Sequence, residues 1–276
     1  MQKFISKRSK LVSILIVIFS FTCLALVYSN PIQSKDTSEI TPTLFIHGFK
    51  GGPSSFQNML TRLEEQKVGS KTMVIRVLSN GELSISGNLT EKENPFVQVI
   101  FQENRASINQ QTEWVHDILH RLYDVYGIQQ VNLVGHSMGG LTATNFILTN
   151  TEEAQTPSIQ KLVVIGSPFK GIDQANYFLV NSGEAAVDLK TQSSALEELI
   201  KNKHYFNSQV PVLAIAGVIN ETDTDGLVSL SSALGIEDIV QEKQMQKEIF
   251  YDETATHSGL HEHTGVDKVV VEFLWE

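Results

Sequence analysis

Val131-Asn132-Leu133-Val134-Gly135-His136-Ser137-Met138-Gly139-Gly140 is the stretch whose reading decides the fold. An apolar run leads into Gly-x-Ser-x-Gly, and Leu141, Ala143, Phe146, Ile147 and Leu148 continue it with the spacing of a helix. A strand, a sharp turn and a helix in that order form a nucleophile elbow. The turn strains the serine backbone, projects its hydroxyl into a cleft, and aims the next N–H at the same space. The glycines two before and two after the serine are required because side chains there would strike the neighbouring strand and helix. Gly140 lets the helix start pack closely.

Short apolar runs recur on both sides of the elbow. Thr43–Ile46, Met73–Leu78, Val131–Val134, Leu162–Ile165 and Val210–Ala216 read as buried strands, and Lys247–Tyr251 as the last one. Amphipathic segments lie between them. The clearest presents Trp114, Val115, Ile118, Leu119, Leu122, Val125 and Tyr126 on one face and stops at Gly127. This alternation predicts an α/β fold, a mostly parallel sheet covered by helices on both faces. Two segments break the rhythm: Leu83–Ser86 with Phe96–Phe101 reads as an antiparallel excursion, and 171–207 as inserted helices.

The chain begins with Lys3, Lys7, Arg8 and Lys10, followed by an uncharged apolar run from Leu11 to Val27. Residues 1–29 are therefore expected to be a signal peptide cut after Ser29, with an uncleaved membrane anchor as the alternative. Cys23 lies inside this run without the flanking residues of a lipoprotein signal. Residues 30–41 are polar and aperiodic, a linker, which leaves 42–276 as one folded domain. That domain has no cysteine, so its core must hold it without disulfides. The whole chain carries 21 Lys+Arg against 31 Asp+Glu; without the four leader cations the count is 17 against 31, a balance of −14. Such a charge disfavours nucleic acid as a partner and favours solubility outside the cell.

A serine hydroxyl needs a base, an acid to orient that base, and donors for an oxyanion. After such an elbow the acid and then the base follow in sequence. The loop after Val210–Ala216 holds Asp223 and Asp225, of which Asp225, followed by Gly226 and the apolar Leu227-Val228, is preferred. The base lies among His257, His261 and His263. His257 comes first because Leu260 anchors its loop three residues on, and His261 is the competitor. The same histidines with Glu262 lack the ligand spacing of a metal helix, so no metal or other cofactor is expected. The N–H of Met138 supplies one oxyanion donor, and the turn His47–Pro53 the other. His47 precedes the serine and is read as a brace for that turn. The turn lacks the order of a phosphate-binding loop. His116, His120 and His204 read as helix-surface or lid residues.

Leu44-Phe45-Ile46-His47-Gly48-Phe49, Val134-Gly135-His136-Ser137-Met138-Gly139-Gly140, Gly166-Ser167-Pro168-Phe169 and His257-Ser258-Gly259-Leu260-His261-Glu262 together resemble the lipase and esterase branch of the α/β-hydrolase superfamily. More narrowly, the chain from about Pro42 to Trp275 resembles the DUF915 family of exported bacterial hydrolases. The resemblance implies the α/β-hydrolase fold, Ser137 as nucleophile, Asp225 as acid, His257 as base, and Phe49 and Met138 as oxyanion donors. It implies no cofactor and leaves the substrate open. Thr224 departs mildly from the serine expected before the acid. The expected activity is hydrolysis of small or lipid-like esters through an acyl-enzyme, by a secreted or membrane-anchored protein. Acyl transfer or amide or thioester hydrolysis at the same site, and a non-catalytic binding role, are the alternatives. The apolar residues of 171–207 (Phe178, Leu179, Ala185, Ala186, Leu189, Leu196, Leu199 and Ile200) suit either a mobile lid over an apolar acyl pocket or a helical pair fixed on the sheet.

Overall fold

The computed structural model describes residues 40–89, 93–150 and 155–276. The expected leader, 1–29, and all but the end of the expected linker lie outside the described residues. Eight strands form one sheet: β1 (Thr43–Ile46), β2 (Ser70–Val77), β3 (Leu83–Gly87), β4 (Pro95–Phe101), β5 (Gln130–His136), β6 (Ser158–Ile165), β7 (Val212–Val218) and β8 (Met245–Tyr251). Their order across the sheet is β3-β2-β4-β1-β5-β6-β7-β8. Every neighbouring pair is parallel except β2 with β3.

Burial on both faces explains the apolar runs. In β1, Leu44 and Ile46 point into one core and Phe45 into the other. In β6, Leu162 and Val164 part from Val163 and Ile165 in the same way. One core is closed by helices α2 (Ile108–Tyr126) and α3 (Met138–Thr149). The opposite core is closed by α1 (Gln57–Glu65) and the C-terminal helix Thr264–Trp275, through Phe56, Met59, Leu60, Leu63, Val266, Val270 and Phe273. The Ser107 hydroxyl caps α2 by accepting from the Gln110 N–H at 3.2 Å, and Gly127 ends the helix at φ 70°. Gly127 is the stop that the sequence predicts. The buried face of α2 ends at Leu122, however, and Val125, expected on it, is exposed.

The antiparallel excursion is present, with different members. It is a hairpin of β2 and β3, whereas Phe96–Phe101 lies within β4, parallel to both β1 and β2 and buried along its whole length. Nearness in sequence suggests pairing with β3, but a strand buried on both faces belongs inside the sheet and not at its edge, and Gln98 fits there too. This polar side chain sits in the sheet interior because its amide donates to the Pro53 carbonyl at 2.7 Å, satisfying a group that would otherwise be costly to bury.

The segment 171–207 contains three short α-helices, α4 (Ala175–Val180), α5 (Glu184–Asp188) and α6 (Ser194–Lys201), and a 3-10 turn at Lys203–Tyr205. Ala185, Leu189, Leu196 and Leu199 join the α2/α3 core, whereas Leu179 and Val180 are exposed. The strand order reverses beside β1, with β4 on one side and β5 on the other. The turns after β1 and β5 are therefore neighbours at the carboxyl ends of the strands, where open α/β sheets hold their ligands.

Candidate active site

Ser137 links β5 to α3 with φ 54° and ψ −126°, a backbone region that only glycine adopts without strain. Close packing holds it there. A Cβ on Gly139 would stand 2.2 Å from the Ile46 carbonyl oxygen, and one on Gly135 2.4 Å from the Gly140 nitrogen. The Ser137 N–H donates to the Ile165 carbonyl at 2.8 Å, anchoring the elbow to β6.

Above the elbow lies the turn after β1. Gly48 comes so close that a Cβ there would be 2.7 Å from the Ser137 Cβ and 3.3 Å from the Met138 nitrogen. Among the described residues, neither the Phe49 nor the Met138 N–H donates to another protein group. Two free donors beside a serine hydroxyl form the arrangement that receives an oxyanion. His47 braces the turn as the sequence reading expects. Its Nε2 accepts the Phe101 N–H at 3.0 Å, so the ring proton is on Nδ1 and donates to the Gly48 carbonyl at 2.8 Å. Burial lowers its pKa, keeping the ring neutral.

Asp225 and His257 meet at the serine. The Ser137 hydroxyl is 2.9 Å from His257 Nε2, and His257 Nδ1 is 2.8 Å from Asp225 Oδ2. Because a carboxylate only accepts, the ring proton lies on Nδ1 and Nε2 is free to accept from the serine. Asp225 is 2% exposed, and its other oxygen accepts the N–H groups of Leu227 and Val228 at 2.9 and 2.7 Å. The His257 N–H donates in turn to the Asp225 carbonyl at 2.9 Å, so the two residues are also joined through the backbone. An arrangement of this kind can draw the proton from a serine hydroxyl as the oxygen attacks a carbonyl carbon.

His261 is not against the serine. Its Nδ1 lies 3.0 Å from Glu262 Oε1, and its ring packs edge-on against His136 with centroids 4.7 Å apart. Asp223 is exposed and contributes only its carbonyl, which accepts the Leu230 N–H. His263 pairs with Asp252 at 3.0 Å and its Nδ1 accepts the Gly265 N–H at the start of the C-terminal helix.

Two features of the site escape a reading of the sequence. His136, an unspecified position in Gly-x-Ser-x-Gly, donates from Nε2 to the His257 carbonyl at 2.8 Å and packs against the His257 ring with centroids 4.9 Å apart. Burial, followed by the neighbouring histidines, pushes its pKa well down, so this support stays neutral. The second is Arg62 on α1. It grips the buried Asp267 with two donors, one at 2.9 Å, and donates to the His261 carbonyl at 3.1 Å. Only the position of His136 beside the serine could have drawn attention, and nothing local links Arg62 to residues 200 positions away.

Ser137, His136, His257, His261, Tyr177 and the turn Gly48–Gly51 line a cleft of roughly 420 Å³. Its lining is richer in hydroxyl, imidazole and backbone polar groups than the apolar acyl pocket expected from the sequence. Tyr177 and Leu227 are its apolar contributors, with Phe49.

A mostly parallel eight-stranded sheet carrying a strained serine elbow at the strand-order reversal defines an α/β hydrolase. The chain belongs to the family described as alpha/beta hydrolase of unknown function (DUF915), whose profile matches residues 30–276. Among solved structures it is similar to the product of gene lin2722 from Listeria innocua, at 27% identity and TM-score 0.75, covering 86% of this chain and 95% of that one. It is also similar to a protein proposed to be a cell surface hydrolase of Lactobacillus plantarum WCFS1, at 21% identity and TM-score 0.66, covering 86% and 90%. The fold extends to the lipase BlEst2 of Bacillus licheniformis, at 13% identity and TM-score 0.58, covering 89% and 96%. No curated protein sequence matches the chain.

Proposed function

We propose that the protein is a serine hydrolase that cleaves carboxylic esters through an acyl-enzyme on Ser137. The observation that carries this reading is the continuous chain Ser137 Oγ, His257 Nε2 and Nδ1, Asp225 Oδ2, with separations of 2.9 and 2.8 Å. Ser137 Oγ attacks the ester carbonyl carbon while His257 Nε2 takes its proton. The carbonyl oxygen becomes an oxyanion held by the N–H groups of Phe49 and Met138. As the carbon–oxygen bond breaks, His257 returns the proton to the departing alcohol. Water then attacks the acyl-enzyme, giving its proton to the same nitrogen and releasing the acid and the free serine. Asp225 keeps the imidazole in the Nδ1–H tautomer and stabilises its charge after each proton transfer. None of these steps requires a cofactor.

The apolar leader supports action outside the cytoplasm, free or anchored through residues 1–29. No helix among the described residues is long and apolar enough to cross a membrane. The test is turnover of short 4-nitrophenyl esters by the purified protein. Activity that Ser137→Ala abolishes, with circular dichroism and melting preserved, supports the reading. A well-folded wild type inert toward ester, thioester and amide substrates overturns it.

A further inference from the structure

The chain is acidic, with 31 Asp+Glu against 21 Lys+Arg, yet among the described residues no carboxylate lines the cleft. The charged side chain on its wall is a cation, Lys50. The nearby Glu262 is already engaged by His261, Asn58 and Arg62.

Lys50 is held in an unfavourable backbone conformation. Its φ is 60°, where glycine or asparagine is at ease and a long side chain is not. Its N–H donates to the Asn104 carbonyl at 2.9 Å, and the Asn104 amide donates to the Gly51 carbonyl at 2.8 Å, so both sides of the residue are pinned. The ammonium donates to Asn181 Oδ1 at 3.0 Å, and that amide is oriented by its own bond to the Tyr177 carbonyl at 2.8 Å.

Arg105 flanks the same feature. Its guanidinium lies 5.4 Å from the centre of the Phe49 ring, and the Lys50 ammonium lies 6.0 Å from it. Arg105 donates to the Ser182 carbonyl at 2.8 Å. Burial raises the pKa of the Tyr177 phenol on the cleft wall, and the charge of Arg105 opposes that rise. Among the described residues, neither Lys50 nor Arg105 has a carboxylate partner, whereas Arg62, Lys170 and Lys247 each do. Both cations also tie residues 177–182 to the body of the fold. Those ties do not require a charge, because the acceptors are an amide and a carbonyl that a neutral donor could also reach.

We propose that the cleft selects esters carrying an anionic group, a carboxylate or a phosphate, and that Lys50 and Arg105 receive it. Both cations flank the ring of Phe49, whose N–H faces the reacting carbonyl in the proposed mechanism, so they stand on the ester's side of the cleft mouth. Each keeps donors unused by its neutral partner, and binding the anion replaces water at exposed cations. This inference rests on the ester-hydrolase reading.

The test compares matched esters by acid release in a pH-stat. 1-Butyrylglycerol against 1-butyrylglycerol 3-phosphate puts the anion on the alcohol side, and ethyl pentanoate against monoethyl glutarate puts it on the acyl side. The expected result is a higher kcat/KM for the charged member of at least one pair, with the responding pair telling which side the cations face. Lys50→Gln should lower that charged-to-neutral ratio about fivefold, the effect of one partly exposed ion pair. Arg105→Gln should lower it further, Lys50→Arg should keep it, and added salt should shrink it. Turnover without charge preference, or a ratio unmoved in both Gln variants, overturns the inference and leaves the hydrolase reading standing. Failure to turn over any of the esters, with Ser137 unreactive toward a phosphonate, removes both.

Discussion

The serine side and the histidine side of the site are built in different ways. Ser137 is fixed by backbone against backbone: glycines that admit no Cβ, a main-chain bond to β6, and the turn after β1 lying across it. His257 sits on an irregular loop and is held by side chains brought from elsewhere, with Asp225 at one ring nitrogen, His136 beneath its carbonyl, and Arg62 gripping the next turn. Backbone packing places the group that must be strained. Side-chain bonds place the histidine that the proposed mechanism asks to exchange protons and tolerate a changing charge.

The largest expected effect separates the two histidines. Ser137→Ala and His257→Ala should each lower kcat on 4-nitrophenyl esters by about 10⁴-fold or more, and the double variant should be little worse than either, because the groups act as a unit. His261→Ala, which leaves the chain from Ser137 to Asp225 intact, should cost far less. Equal losses in His257→Ala and His261→Ala would break the comparison.

Stability should distinguish the sides next. Gly139→Ala forces a Cβ onto the Ile46 carbonyl and should cost about 3 kcal/mol by urea unfolding, because backbone on both sides cannot move away. Arg62→Leu should cost about as much, about 3 kcal/mol, by leaving Asp267, only 1% exposed, without its partner. The second loss can be repaired. Adding Asp267→Leu should recover most of it, as expected for an ion pair replaced by apolar contact. No single partner change should repair Gly139→Ala.

The contrast matches what was legible in the sequence. The elbow, the strands beside it, the Gly127 stop, and the positions of Asp225 and His257 follow from local chemistry: glycine spacing, continuous apolar runs, and an acid before a turn. The place of β4 is not local: its sequence neighbour is β3, but it pairs in parallel with β1 and β2, about 20 to 50 positions away. The apolar residues of 171–207 fit a lid or a fixed cover equally well by spacing, and only the tertiary structure sends six of them, Ile172, Ala185, Leu189, Leu196, Leu199 and Phe206, into the main core. Arg62 with Asp267, and Lys50 with Asn181, are pairs more than 100 positions apart that no local pattern connects.

A smaller effect comes from pH. Burial depresses the pKa values of His47, His136 and His261 in the folded chain, so at mildly acidic pH the unfolded chain binds more protons. The stability present above the ordinary histidine pKa, near 6.5, is therefore lost as pH falls below it toward the depressed folded values. The urea midpoint should drop between pH 7 and pH 5, and His136→Gln, which can still donate to the His257 carbonyl, should make that drop shallower. A midpoint independent of pH over this range would contradict neutral burial of the histidine support.

The smallest effect concerns strain on the serine side. Ser137→Gly should raise stability by about 1 kcal/mol, because glycine accepts φ 54° with ψ −126°. A loss of stability would mean that the elbow is not strained.

Whether Ser137 is a nucleophile activated by His257 is read by labelling with a fluorophosphonate and mapping the adduct by mass spectrometry. One adduct is expected, on the peptide containing Ser137, formed far more slowly in His257→Ala and at close to the wild-type rate in His261→Ala. No adduct on well-folded protein, or labelling of Ser137 as fast without His257 as with it, would contradict that activation.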